Sequence, residues 1–177
     1  MGYQPVSKGH VYITSTDPHP PPDLRAGFLE ERADVEIHVW MYKKSREIAR
    51  RMPSYQYAPL HPRFPEGSAA SCVRLDGPPS TNIEDLVYTI FDGVTIEKVV
   101  RQRGGTTWHS VETIQMKPKE KGGCVDARLN VYGTENLKVA DLSILPVNVG
   151  ANTCSTALLV GEKAALLIAE DLGLVLP

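Results

Sequence analysis

The chain has 177 residues, 42% of them apolar and 23% charged, with a formal net charge of -2. That length suits one domain able to bury a core, and its balanced charge, never gathered into a basic stripe, gives no footprint for nucleic acid. Cys72, Cys124 and Cys154 are odd in number and widely spaced, which fits neither a disulfide framework nor a C-x-x-C metal site.

Gly9-His10-Val11-Tyr12-Ile13-Thr14-Ser15 alternates after a glycine and reads as a strand. Pro20-Pro21-Pro22 forces an extended connection, because proline fixes φ and restricts the residue before it. From Phe28 to Met52 two periods compete. Val35, Ile37, Val39 and Met41 alternate, whereas Ala33, Ile37, Trp40, Met41, Ile48 and Met52 fit one helical face. The uninterrupted length favours a helix, with Asp34 as N-cap and Pro53 marking the end. Its run Lys43-Lys44-Ser45-Arg46 with Arg50-Arg51 reads as a solvated face. A proline-punctuated loop follows from Pro53 to Ser80, within a weakly patterned region 53–85, and a loop that long is functional or poorly ordered.

Leu86–Ile90 reads as a short strand. Asp92 caps a helix running to about Gln102, stopped by Gly104-Gly105. Thr106–Met116, Val125–Val131 and Leu137–Ile144 read as three further strands. A closing helix spans Thr153–Leu172, with Leu158, Ala165, Ile168 and Leu172 facing a core. Cys154, at its start, reads as a small buried side chain. Several strands with few helices make an α+β domain with a mainly antiparallel sheet and flanking helices.

The turn between Pro146 and that helix sets free backbone N–H groups and a helix N-terminus at one place, an arrangement suited to an electron-rich ligand. Upstream, Thr106-Thr107-Trp108-His109-Ser110 supplies a general-base candidate in His109. The five histidines show no tight ligand spacing, so no metal is expected. Neither G-x-G-x-x-G nor G-x-x-x-x-G-K-[ST] occurs, so the 177 residues carry no recognisable nucleotide-binding loop. A signal peptide is not visible, and the apolar stretch at the end is too short and too interrupted by charge to cross a membrane.

Beyond these local readings, T-T-W-H-S, then L-K-V-A-D-L-S-I-x-P, then N-x-x-S-T-A-L-x-x-G-E-K-A-A, in that order, resembles the end of the glucose–methanol–choline (GMC) flavin oxidoreductases. Ser7-Lys8-Gly9-His10-Val11 with Ser15-Thr16-Asp17-Pro18 is similar to the start of their substrate domain. The run from Val39 to Met52 looks like the fungal alcohol (methanol) oxidase branch.

The resemblance implies that residues 1–177 are a C-terminal substrate domain, incomplete without an FAD-binding half that would lie upstream. It implies FAD-dependent oxidation of a small primary alcohol, with molecular oxygen reoxidising the flavin. His109 and Asn152 match the catalytic pair, the histidine as base and the asparagine holding the substrate oxygen. Trp108, Asp141, Leu142, Asn152 and Thr153 match the cofactor-facing positions. It also leaves room for a homo-oligomer and for a cytoplasmic or peroxisomal location, although Leu174-Val175-Leu176-Pro177 lacks the peroxisomal tripeptide. The alternative is a catalytically inactive fragment or interaction module lacking the FAD domain. The sequence departs from the family pattern at Glu112-Thr113, where Gly-Thr is usual, and at Tyr132, where His is common.

Overall fold

A computed structural model describes residues 4–54, 63–71 and 83–174. Cys72, His61 and residues 55–62 and 72–80 of the Pro53–Ser80 loop lie outside the described residues. The chain divides into two compact units, one of residues 6–9 and 26–105, the other of residues 1–5, 10–25 and 106–177.

The first unit is built on two helices, α1 (Arg32–Arg50) and α2 (Ile90–Arg103), packed against each other. Val35 of α1 and Ile96 of α2 are fully buried. Asp34 does not cap α1. It lies inside the helix, buried, and its two carboxylate oxygens accept the main-chain N–H groups of Val6 and Ser7 at 2.9 and 2.7 Å. The extended residue before the helix is Glu31. Residues 86–89 form no strand. Thr89 is instead the N-cap of α2, in a reciprocal capping box with Asp92 that satisfies two otherwise orphan donors.

The basic run on α1 is only partly solvated. Arg46 and Glu47 are buried, and the Arg46 side chain donates to the Ala70 carbonyl while its guanidinium lies 4.8 Å from the Phe64 ring centre. Glu47 accepts from Arg50, Arg51 and the Leu86 N–H, and Arg51 reaches the Ile83 carbonyl. These side chains stitch residues 83–86 onto α1. Their charges are arranged for structure rather than for solvent, because a buried charge persists only when paired and hydrogen-bonded.

In the second unit, β1 (His10–Tyr12) and β2 (Asp23–Arg25) form an antiparallel pair with Val11 opposite Leu24. The α+β class holds, but among the described residues this two-stranded pair is the whole sheet. The segments expected as strands at 106–116, 125–131 and 137–144 meet through isolated bridges only: Met116 with Val125, Val125 with Val131, and Asn130 with Lys138. One reason is Leu129, whose φ of 68° breaks the pleat. Asp126 enforces that turn by accepting from the N–H groups of Arg128 and Asn130 and from the Asn130 amide.

The turn drives Leu129 into the core, with Val125, Ile144, Ala164 and Leu167. The helix α3 (Cys154–Asp171) closes this unit. Its buried residues are Ala164, Leu167 and Ala169, whereas Leu158, Ala165, Ile168 and Leu172 are exposed, contrary to the sequence expectation. Every side of α3 carries apolar residues, so periodicity alone could not select the packed face. Cys154 is exposed, not a buried filler. No described helix is long and apolar enough to cross a membrane.

Candidate functional site

The site is carried by two loops of the second unit. Ile114 N–H donates to Ser143 O at 3.0 Å and Met116 N–H to Ile144 O at 2.8 Å, so residues 114–116 and 143–146 run side by side. Residues 106–113 precede the first segment, and residues 147–153 follow the second. Each loop therefore starts from a shared, hydrogen-bonded base.

The first loop is bent at Thr106, whose hydroxyl accepts the Trp108 N–H at 2.9 Å. Trp108 consequently takes φ 66°, a left-handed conformation that L side chains avoid, and its indole is exposed. Glu112, three residues past His109, is also left-handed at φ 72°. That angle explains why glycine suits this position, and it makes the departure to glutamate a strained one. Backbone in such regions concentrates where function demands an unusual side-chain direction.

The second loop ends at Thr153, buried at the N-terminus of α3, whose hydroxyl makes no capping bond. Asn152 takes that role, with its Oδ1 accepting the Cys154 N–H at 2.9 Å. This fixes which end of the amide faces outward. The Asn152 Nδ2 lies 3.1 Å from His109 Nε2. An amide NH₂ can only donate, so Nε2 must offer its lone pair. In the neutral imidazole this contact places the proton on Nδ1, which lies 3.4 Å from the Thr107 hydroxyl. The two expected catalytic residues are brought together, and the geometry sets the tautomer that leaves Nε2 able to accept a proton.

The other expected positions are less concentrated. Asp141 is exposed, and its carboxylate accepts the Ser143 N–H at 2.7 Å, capping the short 3₁₀ turn Leu142–Ile144. Leu142 is half-buried in that turn. Sequence reasoning missed Gln115. Its side-chain nitrogen donates to Glu112 Oε2 at 3.0 Å and to Pro146 O at 3.1 Å, and its oxygen accepts from Lys117 Nζ at 2.6 Å. No local pattern marks such a residue, because the partner that ties it to the second loop, Pro146, lies on another segment.

Residues 5–161 match the family model described as GMC oxidoreductase. The chain is 42% identical to the alcohol oxidase of Pichia angusta over 215 aligned positions, which take in 96% of this chain and 32% of that protein. It is 38% identical to the alcohol oxidase of Candida boidinii, over 96% of this chain and 33% of that one. The chain thus spans about a third of the length of these relatives. The 215 aligned positions exceed the 177 residues available, so the Pichia enzyme carries residues inside the matched span that have no counterpart here. Among solved structures, an FAD-dependent oxidoreductase from Chaetomium thermophilum, in complex with a butanamide fragment, aligns at TM-score 0.69 and 24% identity, over 97% of this chain and 26% of that one. A fungal aryl-alcohol oxidase aligns at TM-score 0.66 and 26% identity, over 95% of this chain and 24% of that one. The order of motifs around His109 and Asn152, the fold and the extent of the match agree: the chain belongs to the GMC oxidoreductase family.

Proposed function

We propose that residues 1–177 form the substrate domain of an FAD-dependent alcohol oxidoreductase. The observation that carries this reading is the Asn152–His109 contact of 3.1 Å, oriented by the Cys154 N–H. Oxidising an alcohol requires removal of its hydroxyl proton together with hydride loss from carbon. His109 Nε2, unprotonated, would take the proton when the hydroxyl enters between it and Asn152. Asn152 Nδ2 would then donate to the substrate oxygen and hold the carbon in line, a positioning role that an amide performs without titrating.

The residues present fit a flavin. The N–H groups of Ser155 and Thr156, in the first turn of α3, have no partner among the described residues, and with the helix dipole they suit an electron-rich ring edge. Trp108, Asp141, Leu142 and Thr153 are the further residues assigned to hold it. When bound, FAD supplies the hydride acceptor, with molecular oxygen the proposed final oxidant. The substrate stays at the level of an alcohol, because the Pichia relative carries matched-span residues that this chain lacks.

A second reading, a non-enzymatic partner-seeking module, is favoured by one observation. Leu158, Leu159 and Leu166 on α3 and Leu172 at its C-cap stand exposed, and large exposed apolar patches mark interaction surfaces. One experiment separates the two. The 177-residue chain is expressed and assayed for flavin absorbance and for alcohol-dependent peroxide. No flavin and no turnover would remove autonomous activity. In a longer protein that includes an FAD-binding half, His109→Ala should lower kcat by about 10²–10⁴-fold, the usual worth of a positioned base. Unchanged turnover there would take His109 out of the proposal.

A further inference from the structure

We propose that Gln115 is a positioning residue whose side chain, clamped between Glu112 and Pro146, holds His109 against Asn152. The inference rests on the pairing of His109 with Asn152 in the proposed function, and it adds a residue that contacts neither of them.

The two loops lack main-chain ties of their own. Among the described residues, nothing between 106 and 113 makes a main-chain to main-chain hydrogen bond, and in residues 147–152 the one main-chain group that makes a hydrogen bond is the Asn148 carbonyl, which accepts from the Gln4 side chain. Yet their tips meet at 3.1 Å. The backbone pairing below them stops at Ile114 and Met116 on one side and at Ser143 and Ile144 on the other. Gln115 extends it toward the tips. One hydrogen of its amide goes to Pro146 O, at the root of the Asn152 loop. The other goes to Glu112 Oε2, inside the His109 loop. Lys117 Nζ occupies the amide oxygen at 2.6 Å, so the amide cannot flip without losing all three bonds.

A second observation points the same way. Glu112 sits at φ 72°, a conformation that persists in a non-glycine residue only when its surroundings over-determine it. The bond from Gln115 is the one hydrogen bond that the Glu112 carboxylate makes among the described residues. The clamp therefore holds the strained residue three positions from His109. Chemistry at such a pair is steep in geometry, since a misplacement of about 1 Å costs on the order of 10²-fold.

The test reads the imidazole directly and needs neither flavin nor alcohol. Side-chain ¹⁵N spectra of the 177-residue chain should show His109 as one tautomer, with Nδ1 protonated and Nε2 bare. Gln115→Met keeps the shape and removes both donors. The minor tautomer should then rise by roughly 2- to 10-fold, the equilibrium change that one ordinary hydrogen bond carries. Glu112→Gln on its own, which keeps an acceptor for Gln115, should retain the wild-type spectrum. Val139→Ala, which loosens the core of the same unit without touching the clamp, should leave the tautomer alone. Should Gln115→Met fail to fold, Glu112→Gly serves instead, because glycine accepts the left-handed angle, and it should shift the tautomer in the same direction. A folded variant of either kind with an unmoved His109 spectrum overturns the proposal, as does a wild-type chain already showing mixed tautomers. That result would leave the alcohol-oxidoreductase reading standing, whereas unchanged turnover of His109→Ala in the longer, flavin-containing protein would take His109 out of that reading and leave the clamp measurable.

Discussion

Acid should weaken the α1–α2 unit in part through Asp92, and Asp92→Asn should reduce that sensitivity. Asp92 is fully buried. Burial pushes its pKa up, but hydrogen bonds from the Ser68 hydroxyl and from the N–H and hydroxyl of Thr89 outweigh this and hold it below the ordinary carboxylate value. A depressed folded pKa contributes stability that is fully present above the unfolded value, near ~3.9, and is lost as pH falls through the folded one. Asn keeps one acceptor oxygen but turns the other into a donor that faces donors. The expected cost at neutral pH is about 2 kcal/mol, made of a damaged capping box at about 1 and one buried donor left without a partner at about 1. Urea unfolding followed by Trp40 fluorescence, in a Trp108→Phe background, reports on α1. The variant should unfold earlier at pH 7 and lose less further stability than the parent between pH 5 and pH 2. Glu97, held low chiefly by Arg32 and then by Arg101, leaves a residual slope in both proteins. Equal slopes in the two would show that Asp92 contributes nothing to the acid sensitivity.

Other perturbations have equally direct outcomes. Leu167→Ala opens a cavity in the Val125–Leu129–Ile144 core and should cost about 2–5 kcal/mol in chemical denaturation. Gly123→Ala would set a Cβ 1.9 Å from the Lys117 carbonyl, so its thermal midpoint should drop and the Cys124–Gln115 main-chain bond should lose its hydrogen-exchange protection. Trp108→Gly relieves a left-handed, exposed residue and should leave unfolding unchanged or raise stability by up to about 1 kcal/mol. Arg128→Ala removes exposed pairs with Glu170 and Asp171 and should change stability by less than about 1 kcal/mol.

The helices were legible because their signals are local. Proline and glycine punctuation and uninterrupted length bound α1, α2 and α3 to within a few residues. The caps were less legible. Asp34 and Asp92 both suit an N-cap by residue type, yet tertiary bonds to Val6 and Ser7 claim one, and the reciprocal pairing with Thr89 makes the other a third-position partner. The expected sheet shrank for a related reason. Val125, Ala127, Leu129 and Val131 alternate as a strand should, but the Asp126 side chain offers the backbone a turn instead. The pairing of Asp23–Arg25 with β1 carried no signal, since three exposed residues behind a proline cluster have neither period nor length. His109 and Asn152 were found through motif order, not through period. The tie from Gln115 to Pro146 depends on a contact between distant segments, which a single sequence does not display.

The packing of α3 ties the site to stability. Its buried residues, Ala164, Leu167 and Ala169, are already covered, while four leucines, Leu158, Leu159, Leu166 and, at the C-cap, Leu172, are exposed. Fully burying one leucine is worth about 1.5–3 kcal/mol, so covering four would rival the 5–15 kcal/mol that separates a typical folded domain from its unfolded chain. The first turn of that same helix begins at Thr153, and Asn152 caps it through the Cys154 N–H. Any surface that covered the leucines would therefore steady the residue that orients His109. In the uncovered chain, fraying at the start of α3 would release the Asn152 amide and with it the tautomer of His109. Order at the proposed catalytic pair and burial of the outer face of α3 are for that reason two readings of one equilibrium, measurable together as exchange protection of the Cys154 and Ala157 amides.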